Sequence, residues 1–253
     1  MKPLFEEKDR FMSNVLTHAW NYYARIYDGF QPVVIRLLGA FGELTYEEFE
    51  EHFVELAGVK PGQSVLDVAC GTGASHETLS RAVEPKGSVV AVDISDEMLR
   101  RARQKAKRLK LANIRYRRAE ADKLSQYFKE SSFDVVLCCN GLPVFLNPER
   151  SLTEMARLVR SGGRLAVSTL NREKCDSHPM LRWKVRYPPG RFFYAHEYRE
   201  MVAEKGFDSI QFHEEGLMLI IIADKKRKTD RNGEPAPERT ARKRKRASRT
   251  RTV

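Results

Sequence analysis

The segment Val65–Gly73, which reads VLDVACGTG, constrains the fold more than any other part of the chain. It begins as an apolar run of the kind that forms a central strand of a parallel sheet, covered on both faces. The run ends in Gly71-Thr72-Gly73, and these glycines allow sharp turning and close approach of a ligand because they lack a Cβ atom. Asp67 interrupts the apolar run. Burying its carboxylate is costly unless it is paired, so we expect a cationic or donor-rich partner at the turn.

Further segments with strand character follow the glycine loop, and helix-like segments separate them. This alternation is typical of a parallel sheet with helices on both faces. We therefore predict an α/β fold with a doubly wound, mostly parallel seven-stranded sheet, which ends near residue 224. The later strands are predicted at residues 87–92, 113–118, 133–140, 165–170, 209–213 and 217–223.

The second strand ends at Asp93, twenty residues after Gly73. This is the spacing at which an acidic residue of a strand-helix-strand unit reaches the hydroxyls of a ribose. The alternative is that Asp93 caps the basic helix that follows, where Ser95 is also suited to the N-cap position.

Together these motifs resemble the class I S-adenosylmethionine-dependent methyltransferases, in the small-molecule branch that includes enzymes of quinone biosynthesis. VLDVACGTG is similar to the family's motif I, with Ala69 where the first glycine often stands. Arg157–Arg164 is similar to its R-V-L-K-P-G-G segment, whose glycine pair turns the chain into the fifth strand. The resemblance spans residues 65–170 and implies a Rossmann-like fold and S-adenosyl-L-methionine as the cofactor. A dehydrogenase is the main competing interpretation, but His76 stands where its third glycine is expected.

The resemblance also implies which residues hold the cofactor. Asp67 and the glycine loop would hold its methionine end, and Asp93 its ribose. Glu120 takes the adenine position, for which Asp122 competes, and Asn140 would contact the methyl-donor region or a polar atom of the substrate. No catalytic residue and no metal ligand is assigned. The complete set of predicted cofactor-binding residues is Tyr27, Asp67, Ala69, Gly71, Gly73, Asp93, Ile94, Glu120, Ala121 and Asn140.

Aromatic side chains are concentrated in two regions outside the predicted sheet. The amino-terminal region carries Trp20, which we expect to serve packing, and Tyr27, which belongs to a Y-D signature of related small-molecule enzymes. Thr45 and Glu48 form a capping-box pattern for a helix in the same region. We divide the chain into a helical cap at 1–60, a cofactor-binding core at 61–224 with a substrate lid at 171–198, and a basic tail at 225–253.

The basic tail dominates the charge of the chain. Residues 225–253 hold thirteen Lys or Arg and three acids, and so contribute +10 of the formal net charge of +11. With almost no apolar residues, this segment is expected to be disordered. It would attract nucleic acid or an anionic membrane surface, or remain solvated without a partner.

Composition also bears on the location of the protein. The first ten residues carry acids where a signal peptide would be apolar, so export is not expected. The four cysteines show neither a zinc spacing nor a disulfide framework. These features favour a cytoplasmic protein, and the two basic clusters of the tail would also fit a nuclear one if the source is eukaryotic. The sequence does not indicate an oligomeric state.

Three functional hypotheses follow from these patterns. The first is a methyltransferase that acts on a small, partly apolar acceptor enclosed by the aromatic cap and lid. The second is a methyltransferase of RNA or protein that recruits its substrate through the tail. The third is a protein that binds S-adenosylmethionine without catalysis.

Overall fold

The computed structural model describes residues 11–25, 29, 40, 42–179, 181–182 and 191–227. The helices are α1 (11–25), α2 (Tyr46–Leu56), α3 (His76–Val83), α4 (Asp96–Arg108), α5 (Pro148–Leu158), α6 (Arg172–Ser177) and α7 (Ala195–Ala203). The strands are β1 (Ser64–Val68), β2 (Ser88–Asp93), β3 (Ile114–Arg118), β4 (Phe133–Cys139), β5 (Val159–Leu170), β6 (Phe207–Glu215) and β7 (Met218–Lys225). Two short 3-10 helices span Ala121–Gln126 and Leu142–Val144.

The strands form one seven-stranded sheet in the order β3-β2-β1-β4-β5-β7-β6. Strands β1 to β5 pair in parallel, and within the described chain β7 is the strand that runs antiparallel to its neighbours. The predicted α/β, doubly wound, mostly parallel sheet is therefore confirmed. Because the chain leaves β1 toward β2 on one side and later returns as β4 on the other, a crevice opens at the carboxyl ends of β1 and β4.

Both faces of the sheet are covered, as the apolar run of β1 predicted. Leu66 and Val68 pack into a core cluster with residues of α5 and α7. Val65 points to the opposite face and packs with residues of α2 and α3. This alternation places β1 in the middle of the protein, so its carboxyl end is a rigid support for a binding site.

Capping hydrogen bonds to side chains define where two of the helices begin. The predicted capping box at α2 is present, since the Glu48 backbone N–H donates to Thr45 Oγ1 and the Thr45 N–H donates to Glu48 Oε2. At α4 the Met98 backbone N–H donates to Ser95 Oγ. Ser95 is therefore the N-cap of α4, and it begins this helix directly beyond the end of β2.

The fifth strand differs from its prediction. It begins at Val159 rather than Leu165, so Gly162 and Gly163 lie within it. The pairing of β4 with β5 shifts register near Phe133, and this irregularity accommodates the glycine pair that sequence patterns suggest to be a simple turn.

No helix within the described ranges is long and apolar enough to cross a membrane. Tyr27, residues 30–39 of the predicted helical cap, the aromatic residues Trp183 and Tyr187 of the predicted lid, and the tail beyond residue 227 lie outside the described residues.

Candidate cofactor and acceptor site

A cavity of about 380 Å³ opens at the carboxyl ends of β1, β2 and β4. Its walls come from the loops that follow these strands, from α1, and from Phe192 of the predicted lid. Of the ten predicted cofactor residues, those that line the cavity are Ala69, Gly71, Asp93, Ile94, Glu120, Ala121 and Asn140.

Asp93 joins the glycine loop to the start of α4. Its Oδ2 accepts the Gly71 N–H at 3.0 Å, and its Oδ1 accepts the Ser95 N–H at 2.9 Å. Burial raises the pKa of Asp93 to about 6, although these two N–H groups oppose the increase. The carboxylate is therefore held in a fixed orientation at the cavity wall while it retains the capacity to accept further hydrogen bonds.

Asp67 and Gly73 support the glycine loop from behind, outside the cavity lining. The buried Asp67 Oδ2 lies 3.3 Å from Nε2 of the fully buried His76, and His76 Nδ1 lies 3.1 Å from the hydroxyl oxygen of Tyr116. Gly73 has a φ of +78°, and a Cβ atom there would stand 2.2 Å from His76 Nδ1. The side chain that faces Asp67 is thus His76, for which Gly73 leaves room, but the two facing atoms form no hydrogen bond.

The loops after β1 and β4 touch each other beneath the cavity. Ala69 and Asn140 have φ values of 58° and 56°, which are uncommon for residues with a Cβ atom. The Asn140 backbone N–H is fixed by the Ser168 carbonyl oxygen at 3.0 Å. A Cβ atom on Gly141 would stand 2.6 Å from Ala69 Cβ, so this glycine permits the close approach of the two loops.

Two carboxylates compete for the predicted adenine position, and both line the cavity. Glu120 Oε2 accepts a hydrogen bond from Ser13 Oγ at 2.9 Å and lies 2.8 Å from Lys123 Nζ. Asp122 Oδ2 accepts one from Asn147 Nδ2 at 3.2 Å. Ser13 belongs to α1, so Glu120 also ties the amino-terminal helix to the core.

The helix α1 covers one side of the cavity. Its residues Leu16, Trp20 and Tyr23 line the cavity, and Trp20 packs edge-on against Tyr23 at 5.7 Å between ring centroids. Trp20, expected to serve packing, therefore also faces the site. Asn21 Oδ1 accepts a hydrogen bond from Ser95 Oγ at 2.6 Å, which anchors α1 at the start of α4.

The far part of the cavity is apolar. Its side chains come from the loop after β4, from β5 and β7, and from the predicted lid. They are Pro143, Val144, Phe145, Leu146, Leu170, Phe192 and Met218.

Glu50 is a buried acidic residue near the site that the sequence patterns did not single out. It lies on α2, is only 4 % exposed and hydrogen-bonds with the side chain of Cys139, which lines the cavity. Burial raises the pKa of Glu50 to about 7. Glutamate on an amphipathic helix ordinarily faces solvent, so its sequence position carried no signal of this burial.

A family model described as a methyltransferase domain matches residues 59–206. The ubiquinone/menaquinone biosynthesis C-methyltransferase UbiE of Klebsiella pneumoniae is 30% identical over 208 residues, which cover 82% of this chain and 77% of that protein. The chain belongs to the class I S-adenosylmethionine-dependent methyltransferases. The UbiE of Pasteurella multocida is 32% identical over 171 residues, which cover 67% of this chain but only 59% of that protein.

Solved structures show the same fold. A methyltransferase from Aquifex aeolicus matches with a TM-score of 0.59 at 24% identity, over 75% of this chain and 92% of its own. The geranyl diphosphate C-methyltransferase of Streptomyces coelicolor, solved with S-adenosyl-L-homocysteine, matches with a TM-score of 0.59 at 14% identity, over 70% of this chain and 78% of its own.

The residues of the cavity fit S-adenosylmethionine, the cofactor of this family. Asp93, Glu120 and Asp122 line it, whereas no Lys or Arg is present among its described lining residues. Lys123 pairs with Glu120 from outside the lining, and the remaining carboxylates of the wall favour a ligand that carries a sulfonium cation. The fixed Asp93 carboxylate also suits a ribose, whose two hydroxyls are hydrogen-bond donors.

Proposed function

We propose that this chain transfers a methyl group from S-adenosylmethionine to a small, partly apolar acceptor. The observation that carries the proposal is the continuity of the cavity, in which a polar wall with Asp93 and Asn140 joins an apolar wall with Phe145 and Phe192. One half suits the cofactor and the other suits an apolar molecule, so the two would meet near Asn140.

The sulfonium of the cofactor supplies an electrophilic methyl group. The residues of the chain would then mainly align donor and acceptor and exclude water. Asp93 would orient the ribose, and the backbone around Ala69 and Asn140 would hold the methionine end and the methyl group. Trp20 and Phe192 would close the sides of the cavity against solvent.

The lining also narrows the class of acceptor. Its apolar part contains aromatic and aliphatic side chains and, within the described residues, no cation to pair with a phosphate or sulfate group. A neutral ring compound with apolar substituents is therefore the acceptor that we propose. The similarity to C-methyltransferases of ubiquinone and menaquinone biosynthesis supports the same class.

Methyl-labelled cofactor and a cell extract test the proposal. After incubation, the label is followed into solvent-extractable molecules, RNA and protein, with the Asp93→Ala variant as the inactive control. We expect the label in the solvent-extractable fraction. Label confined to RNA or protein would favour the polymer substrate instead, and cofactor binding without transfer to any fraction would favour a non-catalytic protein.

We also propose a cytoplasmic location. The four cysteines, Cys70, Cys138, Cys139 and Cys175, are free thiols, which suits a reducing compartment. Any contact of the basic tail with nucleic acid or an anionic membrane would then occur within the cell.

A further inference from the structure

A strongly basic surface lies along one edge of the sheet. Between residues 98 and 118 the chain carries ten Lys or Arg and no Asp or Glu. Three of the ten, Arg100, Arg101 and Arg118, pair with acids at the start of α4. The other seven form no ion pair with a described residue; they are Arg103, Lys105, Lys107, Arg108, Lys110, Arg115 and Arg117. The guanidinium groups of Arg103 and Arg117, however, lie over the rings of Tyr116 and Tyr127.

The basic surface wraps around the sheet edge. Tyr116 of β3 packs toward α4 beside Leu99, so Arg115 and Arg117 point to the other face of the sheet. Charges on an edge strand commonly prevent pairing with other chains, and this explains Arg115 and Arg117. It does not explain the unpaired cations of α4, because a helix presents no open strand edge.

The outer face of α1 carries exposed apolar side chains. Phe11 is 65% exposed, Val15 is 44% exposed and Tyr22 is 72% exposed. The spacings of four and seven residues place the three on one side of the helix. Residues 11–25 include no Asp or Glu, so this apolar stripe has no acidic residue of its own helix beside it.

The helices that carry the apolar stripe and part of the basic surface are in contact. Helix α1 is fixed to the start of α4 by the hydrogen bond between Asn21 and Ser95, and Arg101 Nη2 lies 3.4 Å from the Arg25 carbonyl oxygen. The inner side of the same helix lines the cavity. A partner that binds both surfaces would therefore lie next to the cavity wall.

We propose that the α1–α4 face, formed by Phe11, Val15 and Tyr22 together with the unpaired cations of α4, docks on an anionic lipid bilayer. Apolar side chains and a basic cluster are each weak membrane signals, and together they give stable binding. Nucleic acid would engage the cations but would leave the apolar stripe without a function. This role rests on the proposed function, because docking would let an acceptor dissolved in the bilayer enter the cavity beside α1.

An environment-sensitive dye on Val15→Cys in the full chain tests the apolar part of the face. With mixed phosphatidylglycerol–phosphatidylcholine vesicles we expect its emission to shift to the blue and to increase. The same dye on Asp208→Cys, an exposed site on β6 at the opposite sheet edge, should not respond. Binding through the tail alone would leave both dyes unchanged and would overturn the proposal.

Charge neutralisation tests the basic part. The double variant Arg103→Gln/Lys107→Gln should lower partitioning onto these vesicles by more than tenfold, since each cation near the surface contributes about fivefold. The matched control Lys129→Gln/Arg150→Gln removes two exposed cations outside the face and should change partitioning less than twofold. Equal losses in the two variants would show that net charge alone drives binding and would contradict a specific face.

Nucleic acid is the competing partner. If the full chain binds single-stranded RNA through Arg103 and Lys107 while the dye on Val15→Cys stays silent on vesicles, the basic surface is a nucleic-acid site and the proposal is wrong. Cofactor affinity and methyl transfer in detergent are measured on the same variants. These two measurements distinguish a failure of the membrane-docking proposal from a failure of the proposed function.

Discussion

Asp93 combines two requirements that oppose each other. In its proposed role it must be ionised to accept strong hydrogen bonds from a ribose, yet its burial raises its pKa to about 6. The N–H groups of Gly71 and Ser95 stabilise the carboxylate, which keeps it ionised at neutral pH.

Cofactor affinity should therefore depend on pH. As pH falls from about 8 to about 5, Asp93 gains a proton and loses its capacity as a charged acceptor, so the affinity for S-adenosylhomocysteine should decrease through the pKa near 6. Calorimetric titration at several pH values measures this. Asp93→Asn should bind weakly with little pH dependence, and a flat profile for the parent protein would contradict this role.

Gly141 tests the contact between the two loops. Gly141→Ala would place a Cβ atom 2.6 Å from Ala69 Cβ, so we expect a loss of about 1–3 kcal/mol in the free energy of unfolding and weaker cofactor binding. Gly29→Ala is the control, because nothing lies within 4 Å of its added Cβ. Denaturant unfolding and calorimetry give both values, and equal behaviour of the two variants would refute the steric argument.

For single residues, the sequence predicted that a buried side chain requires an interaction partner more reliably than it predicted which residue that partner is. The isolated carboxylate of Asp67 indicated that a partner was required, but His76 could be recognised only after the turn at Gly73 had placed its ring beneath the loop. Glu120 and Asp122 are separated by one residue and both reach the cavity, so a motif alignment alone could not choose between them.

The strands and helices were predictable wherever the hydrophobic pattern of the sequence was clear. The apolar runs of β1, β2 and β4 end where the site begins, so their order also indicated the position of the crevice. The start of β5 was missed because Gly162 and Gly163 read as a turn, whereas the structure places them within an irregular strand. The burial of Glu50 on α2 depends on tertiary packing and had no local signal.

Glu50 should make stability depend on pH. Its pKa rises from an ordinary value of 4.5 to about 7 in the folded protein, so its stabilising effect is complete below about pH 4.5 and is lost as pH rises through 7. The change could reach on the order of 3 kcal/mol. Glu50→Gln should reduce this slope in denaturant titrations between about pH 5 and pH 8, with Glu47→Gln on the same helix as an exposed control.

An unchanged slope in Glu50→Gln would show that the carboxylate does not hold its proton in the folded protein. A variant that loses stability equally at all pH values would indicate that Glu50 acts through packing with Cys139 rather than through its titration.

For the whole molecule, we expect the charge of the tail and the catalysis of the core to be separate. Residues 225–253 supply +10 of the net charge of +11, whereas the cavity is lined by carboxylates and apolar groups. Composition alone would suggest a nucleic-acid-binding protein. The sequence motifs between residues 65 and 170 instead indicate a cofactor site.

Removal of the tail tests this separation. A chain that ends at Arg227 should transfer methyl groups to its small acceptor in detergent with unchanged kcat/KM, because none of the described cavity residues belongs to the tail. A loss of more than tenfold on the same acceptor would show that the tail takes part in catalysis or in recruitment of the acceptor.

The cavity at the carboxyl ends of β1, β2 and β4 is the cofactor site that we propose. Calorimetric titration of S-adenosylhomocysteine into the parent protein, Asp93→Ala and the control Ser88→Ala, at the opposite end of β2, tests it most directly. We predict saturable binding by the parent and the control, and at least tenfold weaker binding by Asp93→Ala. Equal affinity in all three proteins would contradict the assignment.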